Sequence, residues 1–98
     1  MIKSVLAQTT ATDLKTLMET AGHTFPNDND TCIGLIIQVD PASAETVDVL
    51  SEGESEGLAL TADGVPSVSF RDFRVRNTYL KASDADVRVN VLVEQIGG

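Results

Sequence analysis

The fold is decided by residues 70–96, which read FRDFRVRNTYLKASDADVRVNVLVEQI. The clearest signal in this stretch is a set of four alternating valines: Val87, Val89, Val91 and Val93. A period of two places these β-branched side chains on one face of a strand, where they pack well. Residues 74–81 alternate as well, and the segment 82–86 between the two runs has the Ser and Asp content of a tight loop. We therefore predict an antiparallel hairpin over 74–96.

A short helix is predicted over 10–22. Its apolar residues recur at the spacing that places them on one stripe: Leu14, Leu17, Met18 and Ala21. Thr10 is the expected cap, Asp13 lies where the helix dipole favours a carboxylate, and Gly22 fits the left-handed residue that closes a helix. A helix this short is unstable alone, so the stripe docks either on the core of its own domain or on a neighbouring subunit.

Several shorter strands complete the pattern. Residues 32–39 carry apolar groups on both faces, which is typical of a central strand or of one that the helix covers. Together with the shorter pieces, the chain has about six or seven strands at close spacing. We predict a mainly β fold in a single domain, 1–98: an antiparallel β-sandwich or jelly-roll-like small barrel. It comprises an N-terminal arm and helix, 1–22, and a β core, 31–96.

The charge balance narrows the class of partner. Seven basic residues against 15 acidic residues give a formal net charge of −8. This charge repels nucleic acid and anionic membranes, and no run approaches the roughly 20 apolar residues of a membrane span. Residues 16–70 contain no Lys or Arg, whereas basic residues recur in 71–88. Such segregation either pairs a basic hairpin with acidic strands inside the fold or gives the molecule two electrically different faces.

No catalytic site or cofactor is predicted. His23 is the only histidine and Cys32 the only cysteine, so the chain lacks the ligands of a typical zinc site, and an inert thiol is expected. Two acidic loops offer candidate calcium ligands: Asp28, Asp30, Glu52, Glu54 and Glu56. Neither loop has the spacing of an EF-hand, and solvated acidic loops ordinarily bind nothing specific. We therefore predict no metal, no cofactor and no enzyme activity.

A basic and aromatic mixture near residue 70 has the composition of a single-strand nucleic-acid platform. It consists of three arginines among three aromatic residues: Arg71, Arg74, Arg76, Phe70, Phe73 and Tyr79. The overall negative charge disfavours that function, and arginine on a sheet edge equally protects against wrong strand pairing.

The second half of the chain, about 32–96, resembles small β-sandwich proteins of tailed bacteriophage particles. Five segments carry the resemblance: LIIQ at 35–38, VDV at 47–49, GLAL at 57–60, VRNTYLKA at 75–82 and VRVNVLVE at 87–94. In these proteins an N-terminal helical or extended segment precedes the strands. A Gly-Leu-x-Leu turn, an aromatic strand that ends in Lys and a small residue, and a valine-rich final strand follow.

The resemblance implies a structural protein of the virion, made in the host cytoplasm. The expected type is a capsid decoration protein or a head–tail accessory subunit, present in many copies and bound to itself and to other virion proteins. The helix stripe and the arginines are the expected interface residues: Leu14, Leu17, Met18, Arg71, Arg74 and Arg76. The alternative is a β-sandwich module that binds carbohydrate or calcium. Its aromatic platform would be Tyr79, although alternation with Val75 favours a core position for that ring.

Overall fold

A computed structural model describes residues 2–25, 31–51 and 57–95, and it shows a β-sandwich of two four-stranded antiparallel sheets. The elements in chain order are β1 (Ile2–Ala7), β2 (Thr12–Asp13), α1 (Leu14–Thr20), β3 (Thr31–Val39), β4 (Val47–Ser51), β5 (Leu58–Leu60), β6 (Ser67–Arg74), β7 (Thr78–Ala82) and β8 (Val87–Gln95). Sheet A has the strand order β1-β8-β3-β6, and sheet B has the order β2-β7-β4-β5. The mainly β sandwich is confirmed, with eight strands in the described residues.

The hairpin predicted over 74–96 is wrong. Its two strands exist, but β7 pairs with β2 and β4 in sheet B, whereas β8 pairs with β1 and β3 in sheet A. The loop 82–86 is therefore a corner that carries the chain from one sheet to the other. Backbone hydrogen bonds from Ala82 to Gln8 (2.8 Å) and from Ser83 to Thr46 (2.9 Å) fix this corner. The alternating segment also begins later than predicted, because Val75–Asn77 forms a 3-10 turn.

The core lies between the inner faces of the two sheets, and the predicted valine face supplies a large share of it. Val87, Val89, Val91 and Val93 are all buried, as the period of two requires. On β7 the buried residues are Thr78, Leu80 and Ala82, so Tyr79 lies half-buried on the opposite face. The expectation that Tyr79 shares a face with Val75 is wrong, because the 3-10 turn interrupts the alternation between them.

Helix α1 docks on the core of its own chain. Leu14 and Met18 are fully buried and Leu17 is nearly so. Leu14 and Met18 offer no surface to a partner and Leu17 offers very little, so their predicted role as interface residues is corrected. Since β1 is also a strand of sheet A, the segment 1–22 belongs to the sandwich and is not a separate arm.

The start of α1 also differs from the prediction. Asp13 is the N-cap, and its carboxylate accepts hydrogen bonds from the Thr16 amide (2.9 Å) and the Thr16 hydroxyl (2.8 Å). The preceding residues do not continue the helix because β2 pairs with β7. The predicted end is confirmed, since Gly22 follows the helix with a φ of +99°.

Candidate functional site: the outer face of sheet A

Two residues were considered for metal binding or nucleophilic chemistry, and the structure describes the side chain of His23 but not that of Cys32. His23 packs edge-on against Phe25, with ring centroids 4.4 Å apart, and its buried Nε2 has no hydrogen-bond partner there. Cys32 lies on β3, but its side chain is outside the described residues. No group of three His, Cys, Asp or Glu side chains suited to a metal ion occurs within 2–25, 31–51 and 57–95.

The candidate calcium ligands Asp28, Asp30, Glu52, Glu54 and Glu56 all lie outside the described residues. The carbohydrate-binding form of the alternative depends on Tyr79 as the aromatic platform. This ring lies on the outer face of sheet B, where its strand position pairs with Leu50 and Asp13. Binding of calcium or carbohydrate therefore stays the alternative hypothesis.

The three predicted interface arginines are dispersed. Arg71 is exposed on the outer face of sheet A, and Arg76 is exposed in the 3-10 turn. Arg74 ends β6, and its side chain is outside the described residues. Phe70 lies half-buried against the core, on the opposite face of β6 from Arg71. Phe70, Arg71 and Tyr79 therefore do not share one exposed platform of the kind considered for single-stranded nucleic acid.

The charge segregation has an internal part and an external part. Lys81 of β7 is the cross-strand neighbour of Asp48 of β4, as expected if the basic segment pairs with acidic strands. Arg71 and Arg88 instead project from the outer face of sheet A. Among the described residues this face also carries Glu94, and it therefore lacks the strong negative charge of the chain as a whole.

The outer face of sheet A carries a small patch of apolar side chains. Six large apolar side chains are exposed in the described residues, and four of them lie on this face: Ile2 (73% exposed), Leu6 (48%), Ile36 (41%) and Leu92 (38%). The strand register explains their proximity, because Ile2 pairs with Leu92 and Leu92 pairs with Ile36. We call Ile2, Leu92 and Ile36 the apolar row.

Shallow hollows flank the apolar row on both sides. One, of about 200 Å³, lies above Gly34 between Glu94 and Arg71. The other, of about 240 Å³, lies beside Gln38, Ser67 and Asn90. Gly34 adds no side chain to the first hollow, and a Cβ added there would lie 3.5 Å from Oε2 of Glu94. A ridge between two hollows is a surface that can interdigitate with a second sheet.

A larger groove, of about 470 Å³, lies between β1 and α1. Its lining includes Leu6, Gln8, Thr16, Leu17 and Asp86, with no aromatic side chain among the residues that line it. Gln8 and Asp86 bond to each other through the Gln8 amide nitrogen and the Asp86 carboxylate (2.8 Å), so both polar groups are already engaged. The volume is in the range of small-molecule sites, about 300–1,000 Å³, but few free polar groups converge on the groove.

Sequence reasoning partly missed the apolar face. The apolar groups on both faces of residues 32–39 indicated either a central strand or one that the helix covers. In the structure β3 is central in sheet A, between β8 and β6, yet Ile36 remains exposed. Leu92 was a further signal, because it stands among polar residues at the outward positions of the valine strand.

None of the described helices has the length and apolar character needed to cross a membrane. Comparison with protein-family models, curated proteins and solved structures finds no match to this chain.

Proposed function

We propose that this protein is a structural subunit of a tailed-bacteriophage particle, of the capsid decoration or head–tail accessory type. It acts by binding copies of itself and other virion proteins. The observation that carries the proposal is the uncovered apolar row on the outer face of sheet A. The resemblance of residues 32–96 to small β-sandwich proteins of such particles supports a phage particle as the assembly to which the chain belongs.

The apolar row is a surface that favours contact with protein. Contiguous apolar patches on a folded domain ordinarily mark interaction sites, whereas single exposed apolar residues need no explanation. Here three apolar side chains are cross-strand neighbours, and Leu6 lies further along the same face. Polar groups border the row, among them Asn90 and Gln38 on one side and Arg71 and Glu94 on the other. An apolar centre with a polar rim is the usual composition of a protein interface.

The charge of the chain restricts its partners. A net charge of −8 disfavours packaged nucleic acid and anionic membranes as ligands. On the outer face of sheet A, however, Arg71 and Arg88 accompany Glu94, so a protein surface can approach this side without strong repulsion. On this side of the molecule the distribution agrees with the second of the two sequence hypotheses, an electrically distinct face for meeting neighbours, while Lys81 beside Asp48 agrees with the first.

The rest of the fold is consistent with a purely structural task. Helix α1 and the inner strand faces are occupied by a continuous core that includes Leu14, Met18, Leu35, Leu80 and Val91. A rigid sandwich holds the side chains of the outer face in fixed positions, because each strand is bound to its neighbours. Such a scaffold presents one preformed binding surface without a conformational change.

Purified particles provide the test. Phage particles from a lysate in which this chain is produced are banded in a density gradient, and the chain is quantified against the major shell protein by peptide mass spectrometry. We expect the chain to band with the particles in many copies. An unrelated acidic protein of similar size, added to the same lysate, controls for trapping. Recovery of the chain only at the top of the gradient, with the control, would refute the proposal.

A further inference from the structure

A row of opposite charges lies next to the apolar row on the outer face of sheet A. Glu94 on β8, Gly34 on β3 and Arg71 on β6 are successive cross-strand neighbours. With strands about 4.8 Å apart, the positions of Glu94 and Arg71 are about 10 Å apart, on either side of β3. No ion pair joins either side chain to another group in the described part of the chain. Both charges are therefore available to a partner.

From this arrangement we infer that the outer face of sheet A binds the same face of a second copy, with a twofold axis along β3. The inference deepens the proposed function and rests on its premise that the chain acts by protein–protein contact. It names the surface and the symmetry through which the chain binds a copy of itself.

Charge complementarity favours a second copy of the chain as the partner of this face. A twofold axis along β3 exchanges the positions of β8 and β6, because these strands are the two neighbours of β3. Glu94 then lies opposite the partner subunit's Arg71, and Arg71 lies opposite the partner subunit's Glu94. Any contact made once in a twofold interface is made twice. A face with opposite charges at equal distances on the two sides of one strand is therefore complementary to itself.

The apolar side chains obey the same symmetry. Ile36 lies on the axis and meets the partner subunit's Ile36. Leu92 lies opposite the partner subunit's Ser69, so a large side chain faces a small one. The same axis places Gly34 opposite the partner subunit's Gly34, so the two hollows of about 200 Å³ face each other and give room for the Glu94 and Arg71 side chains that border them. Large-to-small alternation of this kind is how packed sheets interdigitate.

The area of the face determines how tightly the dimer is expected to associate. A twofold axis along β3 brings three strands of each copy into contact, β8, β3 and β6, and three strands at about 4.8 Å spacing are about 14 Å wide. A stable dimer usually buries about 800 Å² on each partner, and a face this narrow is at or below that size. We therefore expect a dimer that forms at high local concentration, as on a particle surface with many copies, and dissociates on dilution.

Site-directed crosslinking tests the geometry. Facing sheets pack about 10 Å apart, too far for a disulfide between facing residues, so a short bismaleimide linker is used. Ile36→Cys and Gln38→Cys, both on β3 near the axis, are made in a Cys32→Ser background. Leu58→Cys is the matched control, since Leu58 is 44% exposed and lies on β5 of the other sheet. We expect several-fold more crosslinked dimer from the β3 variants, and equal yields would overturn the inference.

Charge reversal tests the symmetry. Arg71→Glu places two carboxylates opposite each other twice in the dimer, and Glu94→Arg places two guanidinium groups opposite each other twice. Each variant alone is expected to dimerise at least about tenfold more weakly than the natural chain in a sedimentation-velocity concentration series. Mixing the two variants restores both pairs in a heterodimer, so association should return. Undiminished dimerisation of either variant, or no recovery in the mixture, would overturn the proposed axis.

Dimerisation and particle binding can fail separately. If the β3 cysteine variants do not crosslink in solution while the natural chain bands with particles, the dimer through this face is wrong and the proposed virion function stands. If crosslinking and charge rescue succeed while the chain stays out of particles, the dimer is supported and the virion function is refuted.

Discussion

The cis docking of helix α1 predicts a large difference between two leucine substitutions. Leu14 is the first residue of α1 and is fully buried, whereas Leu58 is 44% exposed on β5. Leu14→Ala removes the same atoms as Leu58→Ala but leaves a cavity in the core. Buried Leu→Ala substitutions cost about 2–5 kcal/mol, and exposed substitutions stay within about 0.5 kcal/mol.

The expected shifts are easily measured. A loss of about 3 kcal/mol is a large share of the roughly 5–15 kcal/mol that stabilises a typical domain. In a domain of this size each kcal/mol lowers Tm by about 4–8 °C, so Leu14→Ala should lower it by about 12–24 °C. Urea unfolding followed by circular dichroism gives the free energy of unfolding for both variants and for the natural chain.

Protein concentration separates docking in cis from docking on a neighbour. If the helix packs on its own chain, the difference between Leu14→Ala and Leu58→Ala is the same in dilute and concentrated samples. If the helix packed on a second copy, the loss would shrink on dilution, because the contact would already be absent in the dilute natural protein. Equal stability of the two variants, within about 0.5 kcal/mol, would refute the core position of Leu14.

Three further predictions concern the N-terminal segment and ligands. Asp13→Ala removes the acceptor of the Thr16 amide and should cost about 0.5–2 kcal/mol in urea unfolding, whereas an unchanged midpoint would show that Asp13 is not the cap. Deletion of residues 1–22 removes β1 and α1, so circular dichroism should show an unfolded chain, and a folded truncated monomer would contradict their place in the sandwich. Millimolar Ca²⁺ or simple sugars should leave Tm unchanged, since a ligand that binds only the native state raises it, and a clear rise would favour the binding-module alternative.

The sequence predicted local structure well because side-chain period is a local property. The valines of β8 and the stripe of α1 are buried as their spacing required. Strand pairing is not local, and there the prediction over 74–96 was wrong. A short Ser and Asp loop is compatible both with a hairpin and with a corner between sheets. The corner forms here because its amides bond to distant acceptors on Gln8 and Thr46.

The candidate surface was only partly predictable for the same reason. Arg71 was expected at an interface, and the structure places it on the outer face of sheet A. Its relation to Glu94 depends on the register of β8, β3 and β6, which no segment of the sequence reveals alone. The exposure of Ile36 likewise depends on what the rest of the chain leaves uncovered. Helix α1 packs on the core instead of on that face, so the outer side of β3 stays open.

Particle incorporation of surface variants tests the central claim most directly. The natural chain, Ile36→Lys and the matched control Leu58→Lys are produced in separate infections, and each is quantified in gradient-purified particles. We predict that the natural chain and Leu58→Lys band with the particles at similar copy number, whereas Ile36→Lys remains at the top of the gradient although it is folded by circular dichroism. Equal incorporation of all three would show that the outer face of sheet A is not the assembly surface.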